Sequence, residues 1–197
     1  MTNLLDRYHL FRIKSKQDPE AFGSIYDRYV EAIYRFVILK LPSIEDAQDV
    51  TAETFTRAWQ YVYEKHDVEN IRALLYRIAR NLIADRYRNN VQTVSLDVVT
   101  FEGDSPSTQV SRGLDSDQGK ERGLVEARAD LALIIEKLQR LKEDYRDVLT
   151  LRLIDDLPFV VIGEIMEKRP GHVRVIYHRA LKALKELDEK SEKPALK

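Results

Sequence analysis

The chain has 197 residues, 44% of them hydrophobic and 33% charged, with a formal net charge of −1 and no cysteine. That length allows one or two domains, and the apolar content suffices for packed cores, which excludes a wholly disordered chain. The missing thiols exclude disulfides, cysteine nucleophiles and cysteine-held zinc, and the even charge balance leaves nucleic-acid affinity to the distribution of charge.

The N-terminal stretch MTNLLDRYHLFRIKSKQD lacks the long apolar run of a signal peptide. No segment reaches the roughly 18 apolar residues of a membrane span. A cytoplasmic protein is expected.

Asp18-Pro19-Glu20 reads as a helix start, with an N-cap, a proline at the first helical position and an acidic first turn. Phe22, Ile25, Tyr26, Tyr29, Ile33, Phe36 and Val37 then recur at three- and four-residue steps. Leu41-Pro42-Ser43 stops this helix, and Ser43 with Asp46 resembles a capping box. The second helix carries Ala47, Val50, Phe55, Ala58 and Trp59, all read as core. Tyr61 to Asn70 has no clean period and predicts a loop or frayed end. A third helix is predicted over 71–88, with Leu74, Leu75, Ile78, Ala79, Leu82 and Ile83 on one face. Three such helices make one compact bundle.

From 91 to 123 the character changes. This stretch holds four of the seven glycines with Ser, Asp and Pro and no helical stripe, so it predicts a flexible linker. Its piece from Thr93 to Phe101 is β-branched and suits a short extended segment. Helical spacing resumes near Leu124 with Leu131, Ile134, Ile135, Leu138 and Leu141, and continues through Tyr145, Val148, Leu149 and Leu153. A short helix over 158–166 and a longer one from about Gly171, burying Val173, Ile176, Ala180 and Leu184, give helix-turn-helix spacing. The expected fold is all-α: domain 1–90, linker 91–123, helix-turn-helix domain 124–190 and tail 191–197.

Charge supplies the candidate sites. The last helix presents His172, Arg174, Val175, His178 and Arg179 opposite its buried face, with Lys168 and Arg169 just before it, which suits a major groove. The third helix interleaves Arg77, Arg80 and Asn81 with Tyr76, a pattern suited to single-stranded nucleic acid. The second helix offers Glu45, Asp46, Asp49 and Glu53, an acidic ridge suited to a basic protein surface. His172 and His178 are six residues apart and share no metal-binding face. No phosphate loop, nucleophile elbow or acid pair with an apolar pocket is present, so neither an enzyme nor a cofactor is expected.

The runs DAQDVTAETFTRAWQ (Asp46 to Gln60) and LLYRIARNLIADRYR (Leu74 to Arg88) resemble the second conserved region of extracytoplasmic-function sigma factors. The run from Tyr145 to Leu184 is similar to their fourth region. The resemblance implies an alternative bacterial sigma factor that binds core RNA polymerase and directs promoter-specific initiation. It implies that Asp46, Gln48, Asp49 and Glu53 dock on the polymerase clamp coiled coil, and that Arg77, Arg80, Asn81 and Tyr76 hold the minus-ten strand. The loop over 63–70 would set base choice by taking one base out of the stack. Lys168, Arg169, His172, Arg174, Val175, His178 and Arg179 would meet the minus-thirty-five duplex, and an apolar patch including Leu149 and Leu153 the polymerase flap. An anti-sigma protein is the implied regulator. The family's turn has a glycine followed by an apolar residue where this chain has Glu167 and Lys168, so a different turn geometry is expected. The competing reading is a stand-alone helix-turn-helix regulator, which would have no use for the acidic ridge and the Arg/Asn helix together.

Overall fold

The computed structural model describes residues 4–64, 66–93 and 136–191. The chain divides into two compact units, Met1–Phe101 and Glu102–Lys197. Among the described residues every regular element is helical. The expected linker beyond Thr93, the stripe residues Leu131, Ile134 and Ile135, and the tail after Ser191 lie outside the described residues.

The described residues of the first unit form four helices where the sequence predicts three: α1 (Leu4–Lys16), α2 (Pro19–Ile38), α3 (Ile44–Tyr63) and α4 (Ile71–Thr93). The helix starts are those expected. Asp18 accepts hydrogen bonds from the amides of Glu20 (3.0 Å) and Ala21 (3.3 Å), and Ser43 accepts from the Asp46 amide (2.9 Å). At α4 the Asn70 side-chain oxygen accepts from the Ala73 amide (3.3 Å). The far end of α4 passes both the expected helix end at 88 and the expected domain boundary at 90. The predicted stripes form the core: Ile25, Ile33, Phe36 and Val37 of α2 meet Val50, Phe55 and Ala58 of α3 and Leu74, Leu75 and Ala79 of α4, all buried. Burial of each large side chain in that set contributes about 1.5–3 kcal/mol. Trp59 is half-buried, edge-on to Phe22 (5.2 Å) and tilted against Tyr63 (5.5 Å).

α1 is the unpredicted helix. Leu10 and Ile13 bury one face with Asp6, whose carboxylate accepts from the Tyr29 hydroxyl (2.6 Å) and Arg28 (2.7 Å) on α2. Burial first, and then the hydrogen bond to Asp6 followed by its charge, push the Tyr29 hydroxyl above its ordinary pKa. Leu4, Tyr8 and Phe11 lie on the opposite face and are exposed. Apolar residues on both faces leave no single stripe, so periodicity cannot find this helix.

Arg12 of α1 is also hydrogen-bonded to the α2 cap, Asp18. Burial works against the Asp18 charge, but Arg12 and the Ala21 and Glu20 amides outweigh it and hold the carboxyl below the usual carboxylate range. A folded-state pKa below the unfolded value near 3.9 gives stabilisation that is whole above about pH 4 and lost as pH falls through the lowered value. Thermal melts of the parent chain and Asp18→Asn, which keeps a capping oxygen, should therefore differ at neutral pH and converge as the pH falls below the lowered value. A difference that persists unchanged below that value would exclude the ion pair as its source.

The second unit begins, among described residues, with a helical turn at 136–139, followed by α5 (Glu143–Leu149), a wide π turn (Thr150–Ile154), α6 (Phe159–Met166) and α7 (Pro170–Ser191). The π turn corrects the predicted stripe. Spacing alone puts Leu149 and Leu153 on one face, yet Leu149 is buried and Leu153 is 54% exposed. An i→i+5 turn admits an extra residue and rotates everything after it. Leu138, Leu141, Val148, Leu151, Ile162, Ile165, Val173, Ile176 and Ala180 form the core of this unit.

Candidate nucleic-acid and polymerase interfaces

The turn between α6 and α7 sets the geometry of the last helix. Glu167 ends α6 in the left-handed conformation (φ 54°, ψ 40°), so the turn does adopt the backbone that a glycine would favour. A non-glycine residue there costs about 1–2 kcal/mol. The glycine that makes the turn possible lies on α6. The Gly163 carbonyl accepts from the Lys168 amide (2.9 Å), and a Cβ at Gly163 would lie 2.6 Å from the Lys168 carbonyl oxygen and 3.6 Å from the Pro170 ring. The turn closes down on a bare Cα.

Pro170 then starts α7, and the His172 and Val173 amides donate to the Arg169 carbonyl at 2.9 and 3.1 Å. Val173, Ile176 and Ala180 are buried, while Arg169, His172, Arg174, Val175, His178 and Arg179 are all exposed. Arg174 lies over the Phe159 ring at 5.7 Å, with Arg152 on the same ring at 5.4 Å. Lys168 is set apart from the others: only 26% of its side chain is exposed, and it pairs with Asp144 of α5 at 3.4 Å.

The acidic ridge on α3 is present but partly neutralised. Arg86 of α4 reaches Asp46 (3.3 Å) and Asp49 (3.7 Å), and Arg57 pairs with Glu53 (2.6 Å). Asp49 keeps 76% of its side chain exposed and Glu53 45%. Gln48 is exposed but sits about 160° round the helix from Asp46, so it does not extend the ridge. Sequence spacing already carries that correction.

On α4 the predicted set divides. Asn81 is exposed and Arg77 and Arg80 are half-buried, so these three can reach a strand. Tyr76 cannot. It is 1% exposed and packs edge-on against Phe36 with ring centroids 5.1 Å apart, so it belongs to the core and leaves the strand-contacting set. Arg72, one turn earlier, is held over the Tyr29 ring at 5.4 Å.

Residues 66–70, which precede α4, are tied down by specific contacts. His66 stacks on Tyr61 (4.4 Å, 22°), and Lys14 of α1 donates to Asp67 (2.7 Å), which holds that carboxyl below its usual range. The Lys14 contact spans 53 residues and was not legible in the sequence.

For the flap patch, Leu149 is core, and Leu153 and Ile154 are the exposed apolar residues nearby. Among the described residues no group of three or more His, Asp or Glu side chains is placed to hold a metal ion, and no helix is long and apolar enough to cross a membrane.

Comparison with known proteins accounts for both units. The family model for sigma-70 region 2 matches residues 25–93, and that for sigma-70 region 4 matches residues 131–184. The ECF RNA polymerase sigma factor SigW of Bacillus subtilis is 32% identical over 183 residues, spanning 88% of this chain and 93% of SigW. The ECF RNA polymerase sigma factor BldN of Streptomyces coelicolor is 29% identical over 174 residues, spanning 86% of this chain and 61% of BldN. Among solved structures, CnrH in complex with the cytosolic domain of CnrY is similar with a TM-score of 0.69 at 22% identity, over 96% of this chain and 99% of that one. The sigma factor RpoE of Bartonella quintana, solved with the anti-sigma factor NepR, gives 0.64 at 20% identity, over 87% and 98%. Two region models in order along one chain, with a relative above 30% identity over nearly its whole length, decide the family: the chain belongs to the extracytoplasmic-function sigma factors.

Proposed function

We propose that this chain is an alternative sigma factor that binds core RNA polymerase and directs it to promoters, with the two units dividing the work. The observation that carries the reading is the solvent face of α7. Arg169, His172, Arg174, Val175, His178 and Arg179 are all exposed while the opposite face is buried, so the helix can enter a major groove without unpacking its own unit. Arg174, Val175, His178 and Arg179 are the base-edge candidates for the minus-thirty-five duplex, and Arg169 and His172 meet phosphates at the helix start.

On the first unit, Asp46, Asp49 and Glu53 form the polymerase-docking ridge. Arg86 and Arg57 hold those carboxylates in place, and a basic partner surface exchanges for them on binding. Arg77, Arg80 and Asn81, with the 63–70 loop, hold the minus-ten strand after melting. Leu153 and Ile154 are the apolar contact for the polymerase flap. The chemistry of RNA synthesis stays with the core enzyme. An anti-sigma protein is the expected regulator, as the one solved with Bartonella RpoE illustrates for that protein.

The test is binding of the full chain to bacterial core RNA polymerase by fluorescence anisotropy. One-to-one binding is expected, and Asp49→Lys with Glu53→Lys should weaken it about tenfold or more, because each places a cation against the basic surface. Unchanged affinity in the double variant would remove the ridge from the interface. No binding by the parent chain, with its helices intact by circular dichroism, would overturn the polymerase role.

A further inference from the structure

Val175 is the odd residue on the outer face of α7. It is an aliphatic side chain left 45% exposed among His172, His178 and Arg179, which stand three or four positions away and so border it on the helix surface. Branching at Cβ makes it a weaker helix former than the straight-chain polar residues that suit a solvated position.

The side of α7 that faces its own unit carries Val173, Ile176 and Ala180, which are buried, and Tyr177 and Leu184, which are half-buried. At about 100° per residue, Gly171 and Val175 lie within about 25° of the line opposite that face, whereas Arg174 and Arg179 lie about 60–80° to either side of it. Arg174 is also drawn toward α6, where its guanidinium lies over the Phe159 ring.

Gly171 has no internal task. It is exposed, its φ is not positive, and a Cβ there would meet nothing within 4 Å. The outermost line of the first turns is therefore bare backbone followed by one apolar side chain, with an arginine on each flank.

In the major groove a duplex presents one apolar group, the C5-methyl of thymine, and every other edge is a donor or an acceptor. An aliphatic side chain at the centre of the face would leave those donors and acceptors unpaired at any other base. The flanking arginines suit guanine edges and phosphates.

We propose that Val175 reads a thymine. Its methyl groups pack on the C5-methyl of one thymine in the upstream duplex, and Gly171 lets the α7 backbone come close enough for that contact. This rests on the duplex-reading role proposed for α7 and deepens it, since it assigns the base and the group recognised. Val175 thereby determines specificity, and Gly171 is a positioning residue.

The experiment uses holoenzyme assembled from the full chain and bacterial core RNA polymerase, on a promoter selected from a randomised library. Promoter affinity is read while each thymine of the upstream element is replaced in turn by deoxyuridine, which removes the methyl and keeps the pairing. At one position the parent should bind about fourfold more weakly, the worth of one buried methyl. Val175→Ala should lose a similar factor on the thymine duplex and be indifferent to the exchange there, while melting no lower than the parent because alanine favours a helix. Gly171→Ala should also melt no lower, yet bind the upstream duplex more weakly and prefer thymine over uracil less. An unchanged preference in that variant would remove the glycine from the contact.

Selected upstream elements with no fixed thymine on either strand overturn the inference. A Val175→Ala loss that is equal on thymine and uracil at every position overturns it too. Arg174→Ala and Arg179→Ala separate this failure from that of the reading beneath it. If they weaken upstream binding while Val175→Ala and the uracil exchange do nothing, only the thymine contact falls. If they too do nothing, α7 is not the duplex reader and the contact falls with it.

Discussion

Replacing Gly163 with alanine is expected to destabilise the second unit by about 1–3 kcal/mol and leave the first unchanged. The added methyl would sit 2.6 Å from the Lys168 carbonyl oxygen, a backbone atom that cannot swing aside. To make room, either α6 must shift or the turn at Glu167–Arg169 must lift. That turn already holds Glu167 in the left-handed region, so it has little slack. The single tryptophan, Trp59, lies on α3 and reports only the first unit, whereas circular dichroism sees helices in both. Urea melts of Gly163→Ala should therefore show an earlier loss of ellipticity with an unmoved tryptophan transition. A variant that melts like its parent would mean that the close approach is not what fixes the turn.

Arg174→Ala and Arg179→Ala should each weaken binding to the upstream duplex by about 1–3 kcal/mol if the side chain reads a base edge, with specificity relaxed at one position. The alternative for either arginine is a phosphate contact, which would weaken binding alike on all sequences and lower the salt slope by about one. Arg179 has no ion pair among the described residues, so its loss removes nothing from the fold. Arg174 also lies over Phe159, and a melting curve should accompany that variant. Lys185, exposed two turns further along α7, is the control and should matter little. Transcription from a cognate promoter that is indifferent to both arginines would rule out this face of α7 as the duplex reader.

The acidic ridge illustrates how folding tempers a motif. Three carboxylates on one face of α3 look like a bare anionic surface in the sequence, but Arg86 arrives from another helix to meet two of them. Exposed pairs of this kind contribute at most about 1 kcal/mol, so exchange for a partner's cations is inexpensive. Residue 86 is in an Arg/Tyr-rich run that suggests nucleic acid, and only the packing of α4 on α3 gives it this other role.

Sequence alone determined the features that depend on neighbours along the chain. The caps at Asp18 and Ser43 act within three residues, and the stripes of α2, α3 and α4 follow from 3.6-residue periodicity, so both survive folding, with Tyr26 at the edge of its stripe left 42% exposed. The exposed face of α7 is legible for the same reason, since burying Val173, Ile176 and Ala180 leaves only one side for Arg174, His178 and Arg179. Tertiary structure decided whatever depends on distant partners. α1 divides its apolar residues between two faces, and only the docking of Leu10, Ile13 and Asp6 on the bundle says which is inside. Tyr76 stands among arginines as a base platform would, but Phe36 of α2 closes over it. The π turn separates Leu149 from Leu153 by an i→i+5 hydrogen-bonding pattern that no residue type announces. Gly163 lies outside the turn it serves, because the close approach there is between backbones that only the folded chain brings together.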